Sequence, residues 1–138
     1  MRLSDRWRSR LRTAEAMIAL SQARLTVATT PFDRWRGTLG KPTDQPKSDR
    51  LIGEGRRLAA HVEWAAKFLP FRTKCLQHAM ALSWMLRRHH IGHAVVFAVR
   101  PAHLRGDGDS LHAWVEMSGQ RIIGDLPGPW TETLRIGS

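Results

Sequence analysis

Tyrosine is missing from this chain altogether, and cysteine occurs once. A lone thiol cannot close an internal disulfide, so a small bridge-stapled secreted scaffold is excluded and a reducing cytoplasm is the expected setting. Long apolar runs are missing too. "AMIAL" and "HAVVFAV" fall far short of the ~20 residues that span a bilayer. Gln22 and Arg24 interrupt the apolar stretch behind the Arg-rich start, and no small-residue cleavage site follows, so neither a signal peptide nor a membrane partner is expected. Acidic residues are scarce, 12 against 22 Lys and Arg, which leaves a formal net charge of +10. Such a surface attracts polyanions. The plainer reading is a solvated basic surface, because the arginines at positions 2–12, Arg56-Arg57 and Arg87-Arg88 are spread over several elements instead of one stripe. Without tyrosine, the aromatic platform that stacks single-stranded bases has little support, and nucleic acid is not the expected partner.

What is present suffices for one domain with one modest core: 138 residues, 42% hydrophobic and 25% charged. Ser4 caps a predicted helix that runs to Val27, with Leu3, Trp7, Leu11, Ala14 and Ile18 recurring at helical spacing. Residues 31–40 form a short irregular or helical piece, and "GKPTDQPKSD" reads as a polar linker. A second helix is expected over 50–68, with Leu58, Val62, Ala66 and Leu69 on one stripe and Pro70 ending it. Thr73 caps a third helix over 74–89, on which Cys75, Ala79, Leu82 and Leu86 share a face and which Gly92 stops. The period then changes. "HAVVFAVR" reads as a buried strand, "LHAWVEM" and "QRIIGD" as a hairpin around Ser118-Gly119, and the tail from Leu126 as irregular surface chain. Helices followed by strands indicate an α+β fold.

If Ser118 and Gly119 make the turn, Glu116 faces Arg121, Val115 faces Ile122 and Trp114 faces Ile123. The same arithmetic sets His112 opposite Asp125, close enough for a carboxylate to orient an imidazole.

A thiol at a helix N-terminus gains thiolate character from the free backbone N–H groups and from nearby positive charge, here Arg72 and Lys74. An imidazole from His112 could take its proton, Asp125 could fix the ring's tautomer, and the N–H of Cys75 could stabilise an oxyanion. A small buried core cysteine is the alternative. His78 lies three residues after Cys75, but a Cys-x-x-His pair without a second ligand pair makes no zinc site. His89, His90 and His93 straddle a helix end, where positive side chains suit the dipole. Asp107 and Asp109 resemble a calcium loop with too few ligands. Trp114 is expected to shield the site and Trp84 to pack the core.

The segment "KCLQHAMALSWMLRRHHIGHAVVFAVR", followed by "HAWVE" and a hairpin aspartate, resembles the transglutaminase-like cysteine peptidases that remove leaders in lasso-peptide biosynthesis, over about residues 58–126. The resemblance implies a papain/transglutaminase-like core, with the nucleophile's helix on a small antiparallel sheet and extra N-terminal helices. It makes 51–130 the catalytic core of a single domain, 1–138, and 1–50 a helical extension and linker. By position, Cys75 becomes the nucleophile, His112 the general base and acid, and Asp125 the orienting carboxylate. Arg72, Lys74, His78 and Trp114 become contacts to substrate or partner. Relatives often carry arginine three residues after the cysteine, where this chain has His78. Residues 1–50 are too short and too helical for the winged-helix leader-binding domain that some relatives fuse. A separate leader-recognition protein, a lasso precursor and an ATP-dependent cyclase are therefore the implied partners, with no cofactor and no metal. The same triad also serves acyl transfer to an amine, and a non-catalytic basic module for nucleic acid or peptide is the reading from another class.

Overall fold

The computed structural model describes residues 3–39, 41–42, 52–71, 74–99, 111–117, 120–124 and 131–137. Three helices carry most of the helical content: α1 (Leu3–Thr29), α3 (Ile52–Ala66) and α4 (Cys75–Arg88). A one-turn α2 (Phe32–Trp35) continues into a 3-10 turn over Arg36–Leu39. Among the described residues, five strands form one antiparallel sheet: β1 (Lys41–Pro42), β2 (Ala94–Val99), β3 (Leu111–Met117), β4 (Gln120–Ile123) and β5 (Thr131–Gly137), in the order β1-β5-β2-β3-β4. The α+β expectation is met. Helices α1, α3 and α4 pack on one another, α4 lies on β2 and β3, and α3 on β4.

Strand alternation divides the sheet into two faces. Val95, Phe97, Ala113, Val115, Met117 and Ile136 join the helices in the main core. Val96, Ala98 and Trp114 form a separate buried cluster. Where α3 meets the sheet, Gly55 makes the close approach possible, since a Cβ there would come within 2.3 Å of the Met117 sulfur.

Four sequence expectations are corrected. The tail from Leu126 is not irregular throughout. Residues 131–137 form β5, which pairs with both β1 and β2 near the middle of the sheet. Its alternation is broken by a bulge at Thr133, whose hydroxyl donates to the Phe97 carbonyl (3.0 Å), and that break hides the strand from a period-2 reading.

The outward face of α1 is also reversed. Trp7, Leu11 and Ile18 are 57%, 59% and 59% exposed, while Ala16, Ala19, Leu20 and Ala23 face the core. Helix α4 is stopped by His90, not Gly92. His90 takes φ 58°, its N–H bonds the Arg87 carbonyl, and the Ile91 N–H bonds that of Leu86 (2.8 Å). That is a Schellman ending with a histidine where glycine is usual, closed by buried Ile91 against Leu86.

The histidines there do not act alike as dipole cations. His93 is fully buried, and its Nδ1–H donates to the Ile91 carbonyl (2.9 Å) while Nε2 meets the Ser83 hydroxyl (2.7 Å). A neutral ring satisfies both bonds and ties the end of α4 to the start of β2. His89, by contrast, meets the Glu15 carboxylate (3.3 Å).

Candidate active site

Cys75 is the first residue of α4 and is half-buried as a residue, outside the buried core. The helix's N-cap is Lys74, in extended backbone conformation, where the sequence assigned the cap to Thr73, which lies outside the described residues. The Lys74 N–H donates to Gln77 Oε1 (2.6 Å), and the His78 N–H to the Lys74 carbonyl (3.1 Å). These bonds fix the first turn, so the amide at the cysteine points along the helix axis, where the dipole is positive. Helix α4 is held rigidly because Ala79, Met80, Leu82, Met85 and Leu86 are all fully buried behind it.

One turn into α4, His78 lines a groove of about 670 Å³ with Glu63, Ala66, Lys67, Leu69, Pro70 and Phe71. Burial lowers the pKa of His78 and so favours its neutral form. The Arg24 guanidinium lies over the Phe71 ring, 4.2 Å from its centroid. The groove was not legible in the sequence, since it is built from the end of α3, the turn after it and one side of α4.

On β3 the string "HAWVE" resolves by alternation. Ala113 and Val115 face the helices, and Trp114 lies on the opposite face. His112 and Glu116 share its side by parity. Each is anchored differently. Glu116 pairs with Arg135 of β5, which Glu132 also holds (2.8 Å). The Trp114 ring lies under the Arg121 guanidinium at 4.0 Å, and its indole N–H meets no acceptor among the described residues. The His112 ring is 2% exposed and sits 5.7 Å from that of Trp114.

The hairpin departs from its expected register. Glu116 does pair with Arg121, and Met117 with Gln120. A bulge then follows, so that Val115 faces Ile123 instead of Ile122, and Trp114 no longer opposes Ile123. The cause is visible in burial: Ile122 and Ile123 both enter the main core, which strict alternation forbids and one extra residue allows. The arithmetic that set His112 against position 125 therefore slips by one. Asp125 itself lies outside the described residues, as does Arg72.

What His112 does meet is the carbonyl of Gly124, to which Nε2 is hydrogen-bonded. A carbonyl only accepts, so Nε2 carries a proton. Gly124 can present that carbonyl because it adopts φ +81° and because a Cβ would lie 2.7 Å from the Ala113 carbonyl oxygen. Sequence reasoning missed this residue, although a glycine between a strand and an aspartate signals a turn the ladder cannot make.

The site residues thus fall into two groups, Lys74, Cys75 and His78 on α4 and His112, Trp114 and Gly124 beside β3. Among the described residues no hydrogen bond joins the two, and no set of three metal-ligating side chains gathers. The family model of the transglutaminase-like superfamily matches residues 8–136.

The chain belongs to the transglutaminase-like superfamily.

This superfamily includes cysteine peptidases and acyltransferases. The match takes in α1 and β5 as well as the α4-to-β4 stretch that carries the motifs. No curated protein and no solved structure matches the chain. Among the described residues, no helix is long and apolar enough to cross a membrane.

Proposed function

We propose that this transglutaminase-like protein is a cytoplasmic cysteine peptidase that removes the leader from a lasso-peptide precursor, using Cys75, His112 and Asp125. The observation that carries the reading is a half-buried cysteine, outside the core, at the first position of a helix whose first turn is fixed and whose far side is buried. An inert core cysteine would be sealed instead.

In this reading the precursor's backbone enters the groove beside His78, with Lys74 and Arg72 adding positive charge near the sulfur. Cys75 gives its proton to His112, and the thiolate attacks the scissile carbonyl carbon. The free amide at the start of α4 donates to the oxyanion, where preorganised donors act most strongly. Collapse of the tetrahedral intermediate breaks the C–N bond, and His112 protonates the departing amine, which is the new N-terminus of the core peptide. Water then attacks the thioester, His112 takes its proton, and collapse breaks the C–S bond, which returns the Cys75 thiolate and frees the leader as a carboxylate. The Gly124 carbonyl serves the base by holding Nε2–H, so that Nδ1 is the nitrogen that exchanges the proton. Asp125, the next residue, adds the charge that stabilises the imidazolium. The transfer requires the sulfur and the His112 ring to come within hydrogen-bond reach, from α4 on one side and from the sheet face that Trp114 shares on the other. A separate ATP-dependent cyclase would close the macrolactam on the freed amine, and a separate winged-helix protein would present the leader.

The test is mass spectrometry of a lasso precursor incubated with wild type and with Cys75→Ala, each with and without a leader-binding protein. Loss of the leader mass only with the intact thiol supports the reading. A product carrying an added amine would mean acyl transfer. Salt-dependent nucleic-acid binding that is indifferent to Cys75→Ala, with the precursor left whole, would replace catalysis by a basic module.

A further inference from the structure

Helix α1 has two seams. Its inner seam, Ala16, Ala19, Leu20 and Ala23, is buried against the rest of the fold. The outer seam runs Trp7, Leu11, Ala14, Ile18, Ser21, Leu25 and Ala28, and every one of these residues is exposed. Its steps alternate four and three, so Leu11, Ile18 and Leu25 fall on a positions and Trp7, Ala14, Ser21 and Ala28 on d positions of an unbroken heptad. The large members are exposed to between 57% and 64% of their surface, which is unusual for four big apolar side chains in one row.

We infer that the outer seam of α1 docks an amphipathic helix of another protein, one whose flanking positions carry aspartate or glutamate. The geometry favours a helix because a strict a/d stripe is the narrow seam that one helix fills, whereas a membrane surface selects a broad apolar face. The charge favours an acidic partner. Arg8 and Arg10 are exposed on the two flanks of the seam, at e and g positions, and the chain as a whole carries +10.

A second copy of this chain fits poorly. Antiparallel pairing would set arginine flank against arginine flank. Parallel pairing would need Glu15 at e, but that carboxylate is turned inward to Arg12 (3.6 Å), Arg88 (3.3 Å) and His89 (3.3 Å). The inference does not depend on the peptidase reading, because the seam contains none of the site's residues.

The probe is a synthetic helix of four heptads with leucine at a and d and glutamate at e and g. A twin carrying lysine at e and g is the control, and both are titrated by calorimetry. The acidic probe is expected to bind at low salt, at least about tenfold tighter than the lysine twin. Leu11→Gln, Ile18→Gln and Leu25→Gln combined should abolish binding with the circular dichroism unchanged, since all three side chains are outside the core. Arg8→Glu with Arg10→Glu should reverse the preference between the twins. Equal binding of both twins, or binding indifferent to the seam variant, overturns the inference. So does seam-dependent dimerisation of the chain alone in sedimentation, or seam-dependent binding to phosphatidylglycerol vesicles with neither peptide bound.

Discussion

Helices α1 and α4 lie against each other, and both read as amphipathic. Helix α4 turns Met80, Leu82, Met85 and Leu86 inward, all fully buried, and carries the thiol at its open end. Helix α1 turns mostly alanines inward and leaves Trp7, Leu11, Ile18 and Leu25 outside. The small inner residues let α1 sit close on its neighbours, and its large ones do nothing for this fold. The contrast teaches that helical periodicity tells which residues share a face, while residue size within a face decides which way it looks only when a partner's shape is known. For α4 the two agreed, because both the aliphatic stripe and the site needed the same packing.

The strongest way to break this comparison is to remove one leucine from each helix. Leu82→Ala should cost about 2–5 kcal/mol, because a fully buried side chain leaves a cavity in a core that cannot collapse around it. Leu11→Ala should change stability by no more than about 0.5 kcal/mol, because the side chain is 59% exposed. Urea unfolding monitored by circular dichroism checks both, and similar losses would show that α1's outer seam is covered.

Next in size is Gly124→Ala, which tests whether the chemistry at α4's open end depends on the carbonyl beside β3. The added Cβ would meet the Ala113 carbonyl oxygen at 2.7 Å and force a left-handed φ on alanine. The strain costs about 1–2 kcal/mol. Turning the carbonyl off Nε2 should lower kcat by about tenfold or more, since a misoriented base loses much of a general-base contribution. The pH profile should lose the limb set by the imidazole. A purely structural role would reduce the folded fraction and leave that limb where it was.

A smaller effect sits at the other end of α4. His90 is exposed and holds φ 58°, which glycine adopts freely. His90→Gly should therefore stabilise the protein by up to about 1 kcal/mol, visible as a raised unfolding midpoint. A loss instead would mean that its imidazole makes a contact worth more than the backbone strain.

Much of this arrangement was legible from residues alone. The apolar stripe of α4 and the β-branched run of β2 stated their structures through period and composition. The Glu116–Arg121 pair followed from counting back from the turn. The rest was hidden for identifiable reasons. Two bulges, one in β4 and one in β5, let consecutive or displaced residues face the same way, and no period-2 reading survives an inserted residue. The ending of α4 was assigned to the glycine in view, while His90 took the left-handed position two residues earlier. Gly124 and the groove at His78 depend on pieces distant in sequence, and only the folded chain brings them beside the motif residues.

The finest distinction lies between a histidine of α4 and a histidine of α3 that faces α1. His78 on α4 has its pKa lowered by burial. His61 of α3 faces α1, where its Nδ1 meets Thr13 Oγ1 at 3.2 Å, and its pKa is lowered by burial and then by the Arg12 guanidinium. Both folded-state values lie below the unfolded value of about 6.5, so the unfolded chain binds protons first as pH falls. Stability should be at its plateau above that value, decline as pH drops through it, and level off below the folded pKa values. Arg12→Gln should raise the titration midpoint of His61 and leave that of His78 unmoved, as followed by the ring proton shifts in NMR. Equal upward shifts in both rings would mean that Arg12 acts through the packing of α1 on its neighbours, since a single guanidinium charge falls off too quickly with distance to move them alike.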